Sequence, residues 1–340
     1  MRLSLTYSDI AFVPTEMSTV GHRDSLPTST MFMGKVLSIP LLSAPMKKVT
    51  GVKMARKLLT LGGLPVLMRT DDGQADLRQF QDSGEIPGAA VVSIGATGDY
   101  LQRAADFIKA GARLICIDTA NGFHATVGHA VNQLRRSKVP IKIIAGNVGS
   151  VEGYAFLSKL GVDAVRVGIG SGSACSTSIA TGVGIGQVTL LQDIANYRSM
   201  LNEPSAAVIA DGGITEAGDF CKALALGADV VMVGRYLAGT DESPGELIQS
   251  DNGPMKEYAG EASRSVKGNN AKHVEGVSTL VPYTGPVADR IQELVDGLKS
   301  SMAYLNCHTL EAYRKLWLDD HRFVQLSSNA RHERTPHVLG

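Results

Sequence analysis

PIKIIAGNV (140–148), AVRVGIG (164–170), AAVIADGG (206–213) and DVVMVGR (229–235) decide the fold of this chain. Each is a near-continuous apolar run, rich in Val and Ile. A strand with one wet face alternates apolar and polar residues, whereas a strand buried on both faces does not. Working back towards the N-terminus, four more runs have the same character: SIPLLSAPM (38–46), LPVLMR (64–69), AAVVSIG (89–95) and RLICIDTA (113–120). Between the runs lie stretches of helical periodicity, such as GDYLQRAADFIKAG, HATVGHAVNQLRRSK, SVEGYAFLSKLG, QVTLLQDIANYRSML and TEAGDFCKALALG. Several stop at Gly, a common helix terminator. Eight strands alternating with helices at the spacing of one βα unit predict an α/β fold, the (β/α)₈ TIM barrel. A doubly wound open sheet is the alternative, but it requires no particular number of strands.

Composition fits this reading. The chain has 340 residues, 44% of them apolar, which suits one barrel of roughly 250 residues with insertions. A formal net charge of zero gives no electrostatic footprint for nucleic acid. No apolar run approaches the roughly 18 residues of a membrane-spanning helix, so no membrane partner is expected. MRLSLTYSDIAFVP at the N-terminus lacks the basic-then-apolar order of a signal peptide. The four cysteines, Cys116, Cys175, Cys221 and Cys307, show no CxxC spacing, which speaks against a zinc site or a disulfide framework and for a reducing cytoplasm. No linker, repeat or charge run divides residues 1–340, so a single catalytic barrel domain is expected.

Two βα connections are oversized: the one carrying 168–187 after the sixth run, and 236–287 after the eighth. Barrel active sites are built from such loops at the C-terminal ends of the strands. The sixth loop reads GIGSGSACSTSIATGVGIGQ. Gly168, Gly170 and Gly172 let it bend sharply and present backbone N–H groups. Cys175 sits among Gly, Ser and Thr with no apolar packing pattern, so its thiol can meet a substrate as a nucleophile. The other three cysteines fall in strand or helix patterns and read as small buried hydrophobes. IADGG ends the seventh run with Asp211, Gly212 and Gly213, and VGR ends the eighth with Gly234 and Arg235. Glycines at these two strand ends form the usual phosphate site of the fold, and Asp211 can accept hydrogen bonds from ribose hydroxyls. A flavin phosphate would fit the same geometry, which leaves a flavin-dependent barrel as another class of reading.

Taken in order, LTYSDIAFVP, IPLLSAPM, SGSACST, IADGGI, VMVGR, AGTDESPGE and EGVSTLVPYTGPV resemble the IMP dehydrogenase/GMP reductase family over nearly the whole chain. The resemblance implies a homotetrameric barrel in which a Cys attacks C2 of a purine nucleotide and hydride is exchanged with a nicotinamide cofactor. Cys175 matches the family nucleophile, Thr177 the Thr two places on, and Glu275 the acidic residue near the base. Ser43 and Met46 match residues that touch the nucleotide. Ser173, Asp211, Gly213, Gly234 and Tyr258 match its ribose and phosphate contacts, with Arg235 beside them. Asp118 and Asn147 match the cofactor region. The backbone of Gly168, Gly170 and Cys175 resembles a monovalent-cation loop, which implies K+.

The sequence also departs from the family. Lys47 and Lys48 follow Met46, Arg235 stands where Ser is often found, and YAGEAS replaces the usual Gly-Met pair. No Arg-Tyr pair lies between Tyr258 and Glu275, although the dehydrogenase branch uses one to hydrolyse its covalent adduct. LPVLMRTDDGQADLRQF runs straight on to the third strand, without the regulatory insert common in that branch. These features point to GMP reductase, which would use NADPH to deaminate GMP reductively to IMP. The alternatives are an IMP dehydrogenase using NAD, a family member acting on a variant purine nucleotide, and a non-catalytic nucleotide-binding homologue.

Overall fold

A computed structural model describes residues 2–70, 73–83, 88–251, 253–260 and 276–333. All eight apolar runs are strands of one closed parallel barrel. In chain order they are β1 (Leu41–Ser43), β2 (Leu64–Leu67), β3 (Val91–Ile94), β4 (Leu114–Asp118), β5 (Lys142–Val148), β6 (Ala164–Val167), β7 (Ala207–Asp211) and β8 (Val230–Val233). β8 closes the ring on β1 through the Val231–Leu41, Met232–Leu42 and Val233–Ser43 register. The open-sheet alternative is thereby excluded.

The barrel helices are α1 (Val52–Thr60), α2 (Gly73–Ser83), α3 (Tyr100–Lys109), α4 (Ala125–Arg135), α5 (Val151–Lys159), α6 (Gln187–Ser199), α7 (Ala217–Ala225) and α8 (Val287–Tyr304). Among the described residues, α2 is the only element between β2 and β3. No described helix is long and apolar enough to cross a membrane.

Strand side chains divide between two cores, as a period of two requires. Val92, Ile94, Ile115, Ile117, Val165 and Val208 point outward against the helices. Leu42, Leu64, Val66, Val91, Leu114, Cys116, Ile144, Ile209 and Met232 fill the barrel. Phe32 and Leu37, from a hairpin pairing Thr30–Phe32 with Lys35–Leu37, pack with the inward residues at the strand starts. They close the lower end, which leaves the C-terminal rim for chemistry.

The long stretch after β8 is more structured than its polar composition suggests. Leu247–Ser250, Gly253–Ala259 and Ser278–Pro282 form an antiparallel three-stranded sheet. It stands over the rim and carries Tyr258 inward, with the tyrosine only 3% exposed.

Candidate active site

The rim is shaped by glycine. Gly168, with φ of +143°, follows β6, and a Cβ there would lie 2.1 Å from the carbonyl oxygen of Asp211. β6 and β7 can therefore end side by side only if residue 168 has no side chain. The buried Gln187 locks the same junction: its Nε2 donates to the carbonyls of Val167 at 3.1 Å and Asp211 at 2.8 Å. Gly212, with φ of +99°, gives the loop room on the other side, where a Cβ would meet Ser171 Oγ at 2.6 Å.

Within this rim is a cavity of about 310 Å³, lined by Met46, Arg69, Asp118, Asn147, Arg166, Gly168, Gly170, Cys175, Thr177, Asp211 and Tyr258, among others. Cys175 is partly exposed. Its thiol donates to Thr177 Oγ1 at 3.2 Å. The loop that bears it is pinned twice. Cys175 N donates to Gly172 O at 2.9 Å, and Cys175 pairs antiparallel with Gly276. The adjoining bonds are Val277 N to Ala174 O and Gly260 N to Val277 O, each 3.1 Å. Burial pushes the thiols of Cys116 and Cys221 up to about 12 and that of Cys307 to about 11, which holds all three protonated near neutrality.

The floor of the cavity is charged. Arg166, 6% exposed, extends from the middle of β6 between two carboxylates. Its Nη1 donates to Asp118 Oδ1, while Nε at 3.2 Å and Nη2 at 2.8 Å donate to Asp211 Oδ2. Burial opposes the charge on Arg166, but Asp211 and Asp118 together outweigh it and raise its pKa well above the usual arginine value. Asn147 Nδ2 donates to the same Asp211 oxygen at 2.8 Å and to Gly168 O at 3.0 Å. Opposite, the Tyr258 hydroxyl lies 4.0 Å from Met46 Sδ, and a Cβ on Gly234 would touch both residues. Burial raises the Tyr258 pKa; Asp211 and Cys175 add to this, and Arg235 opposes it.

Eleven of the residues singled out in the sequence thus line one cavity: Met46, Asp118, Asn147, Gly168, Gly170, Gly172, Cys175, Thr177, Asp211, Gly212 and Tyr258. Gly234 backs it. Others lie elsewhere. Ser43 is fully buried and accepts from Thr50 Oγ1 at 2.8 Å, so its hydroxyl faces the loop after β1. Ser173 is exposed, and neither it nor Arg235 lines the cavity. Gly213 packs against the Tyr7 ring and opens into a neighbouring cavity of about 830 Å³. That larger space lacks Cys175, Asp118 and Asp211, so size does not mark the chemistry here. Glu275 and Arg264 lie outside the described residues. Among the described residues, no three His, Cys, Asp or Glu side chains gather as a metal site.

Sequence reasoning missed Arg69 and Arg166. It also missed the purpose of one departure: Lys48 pairs with Glu257 at 2.5 Å and so ties the loop after β1 to the strand that carries Tyr258.

The model of the IMP dehydrogenase / GMP reductase domain matches residues 4–337. The chain belongs to that family. It is 36% identical to the inosine-5'-monophosphate dehydrogenase of Nitrosopumilus maritimus, with 74% of this chain and 54% of the relative covered. Against the Bacillus subtilis enzyme of the same name, identity is 37%, with 75% and 54% covered. Against that of Rhodopirellula baltica it is 34%, with 98% and 63% covered. The chain thus spans between half and two-thirds of the length of these family members.

Proposed function

We propose that this family member is an oxidoreductase in which the Cys175 thiolate attacks C2 of a purine nucleotide, and that it oxidises IMP with NAD. One observation carries the reading: the only partly exposed cysteine among the described residues stands on the rim of the cavity whose floor holds Asp118, Asp211 and Arg166. The printed names of the relatives favour IMP as substrate.

In this reading Asp211 accepts from the ribose hydroxyls, while Gly213, Gly234, Arg235 and Ser173 serve the phosphate. Ser43 acts only indirectly, by holding the loop that carries Met46. Before the C2–S bond forms, the Thr177 hydroxyl, which accepts from the Cys175 thiol at 3.2 Å, relays the thiol proton to solvent and leaves the thiolate. NAD, if held at Asp118 and Asn147, would supply the acceptor for the hydride lost from C2. Water then cleaves the thioimidate: its oxygen stays on C2 as XMP forms, one of its protons goes to the ring nitrogen and the other to sulfur. Asp118 and Asn147 face the space left for the cofactor, and Glu275 serves as the acid–base group near the purine. A monovalent cation such as K+ would be held by the carbonyls of Gly168, Gly170 and Cys175. Among the described residues those of Gly170 and Cys175 accept no hydrogen bond, which fits a cation site. A homotetramer forms part of the same proposal and is read by light scattering.

A second reading, NADPH-dependent reduction of GMP to IMP and ammonia, is favoured by the missing Arg-Tyr pair between Tyr258 and Glu275. It needs no water activated beside the thioimidate. Two assays separate the readings: NAD reduction with IMP and NADPH oxidation with GMP. Multiple turnovers to XMP support the first; turnover only with GMP and NADPH overturns it in favour of the second. Failure of both, with no nucleotide adduct on Cys175 by mass spectrometry, rejects the chemistry altogether.

A further inference from the structure

Two carboxylates at the cavity floor share one cation. β4 ends in Asp118 and β7 in Asp211, and these strands are not neighbours in the barrel. Arg166, on β6, reaches both across the interior. All its bonds to Asp211 go to Oδ2, which also accepts from Asn147, and its bond to Asp118 goes to Oδ1. Among the described residues, Oδ1 of Asp211 and Oδ2 of Asp118 accept no hydrogen bond, and both side chains line the cavity. Each acid therefore spends one oxygen on Arg166 and keeps the other without a hydrogen bond among the described residues.

We infer that Arg166 is a positioning residue that couples the nucleotide and cofactor sites, by keeping Asp211 Oδ1 available only while Asp118 retains its charge. The inference rests on the reading above, in which the nucleotide ribose sits on Asp211 and the cofactor on Asp118. A guanidinium is a planar fork that matches both oxygens of a carboxylate at once. Nε and Nη2 already face Asp211, but both fall on Oδ2; Asp118, by holding Nη1, fixes the guanidinium in that orientation and keeps the fork from closing over both oxygens. When Asp118 is neutral, the fork turns onto Asp211 and takes both its oxygens, leaving the ribose hydroxyls without their acceptor. Lysine cannot act this way, because an ammonium is a point charge that serves one carboxylate without forking. Coupling between sites is reciprocal in free energy. A nucleotide that engages Asp211 Oδ1 therefore holds Nη1 on Asp118 and presets the cofactor's acceptor.

The test is IMP binding measured by calorimetry with no cofactor present. Asp118→Asn, nearly isosteric and remote from the ribose contact, should weaken IMP at least threefold, within the usual range of coupling between sites. In an Arg166→Lys background the same substitution should change affinity less than threefold. Turnover should divide in the same way, with Asp118→Asn raising the KM for IMP while kcat at saturation of both substrates falls less. A change of less than threefold on Asp118→Asn in the parent protein overturns the coupling. So does an equal loss in both backgrounds, which would mean that Asp118 acts without Arg166. If Arg166→Lys does not fold, the Asp118→Asn titration alone decides. Asp211→Asn serves as the separate control. If it leaves IMP affinity unchanged, the nucleotide assignment has failed; if it weakens IMP while Asp118→Asn does not, only the coupling has failed.

Discussion

Gly168→Ala adds a single methyl group to the rim and should disable it. At φ of +143° the new Cβ would lie 2.1 Å from Asp211 O and 2.9 Å from Gln187 Nε2. An ordinary contact needs more than 3 Å, so the Asp211 carbonyl has to retreat by about 1 Å. Retreat breaks its bond from Gln187 at 2.8 Å. One lost buried hydrogen bond costs about 1 kcal/mol, and holding Ala in that backbone region costs a further 1–3 kcal/mol. The expected loss of stability is roughly 2–4 kcal/mol, read from urea unfolding at constant m-value. Function should suffer beyond this. Asp211 carries the Arg166 pair, and a displacement of about 1 Å at a reacting site can cost on the order of 100-fold in rate. Steady-state assays at 10 °C, where the variant remains folded, should show that loss in kcat/KM. An unfolding midpoint equal to the parent's, together with kcat/KM within twofold, would falsify the claim that the end of β6 is set by this contact.

Further outcomes are open to direct measurement. Cys175→Ala should abolish turnover while IMP still binds, since Asp211, Tyr258 and the rim backbone are untouched; residual turnover within tenfold of the parent would remove Cys175 from the chemistry. Asp163→Asn should lower stability at pH 7 by roughly 1–2 kcal/mol, after allowance for partly exposed partners. Burial pushes the Asp163 carboxyl upward, but bonds from Lys142, the Ile143 amide and Arg135 outweigh this and hold it below the ordinary carboxylate value. A depressed folded pKa gives stability that is present above the unfolded value, about 3.9, and is lost as pH falls through the folded one. The gap between parent and variant in chemical denaturation should therefore shrink below pH 4, and a gap constant down to pH 2.5 would contradict this assignment.

The barrel was legible because its strands are buried on both faces, and few other environments demand runs such as ICID or VVMV. The sheet after β8 was not. Its first strand, LIQS, is largely exposed, and the others bury only Lys256, Tyr258, Ala259 and Val281, so no run or clean alternation marks them. The hairpin that closes the barrel escaped for a similar reason: each of its strands buries one residue, Phe32 or Leu37. Arg166 left a signal that went unread. An arginine inside a strand buried on both faces has to find counter-charges, and Asp118 and Asp211 were already visible at the ends of two other runs. The side-chain partner of Ser43, Thr50, belongs to the following loop, a contact that strand periodicity does not encode.

The excursion after β8 departs at Gly260 and returns at Gly276, and both roots are clasped to the Cys175 loop. At Gly260 a Cβ would come within 2.7 Å of Ala174 O, so the clasp leaves no room for a side chain. A single residue added at either root would slide the pairing by one and turn its side chains to the opposite face. The height of the Cys175 sulfur over the barrel is thus set by the register at two glycines, Gly260 and Gly276, far from Cys175 in the chain.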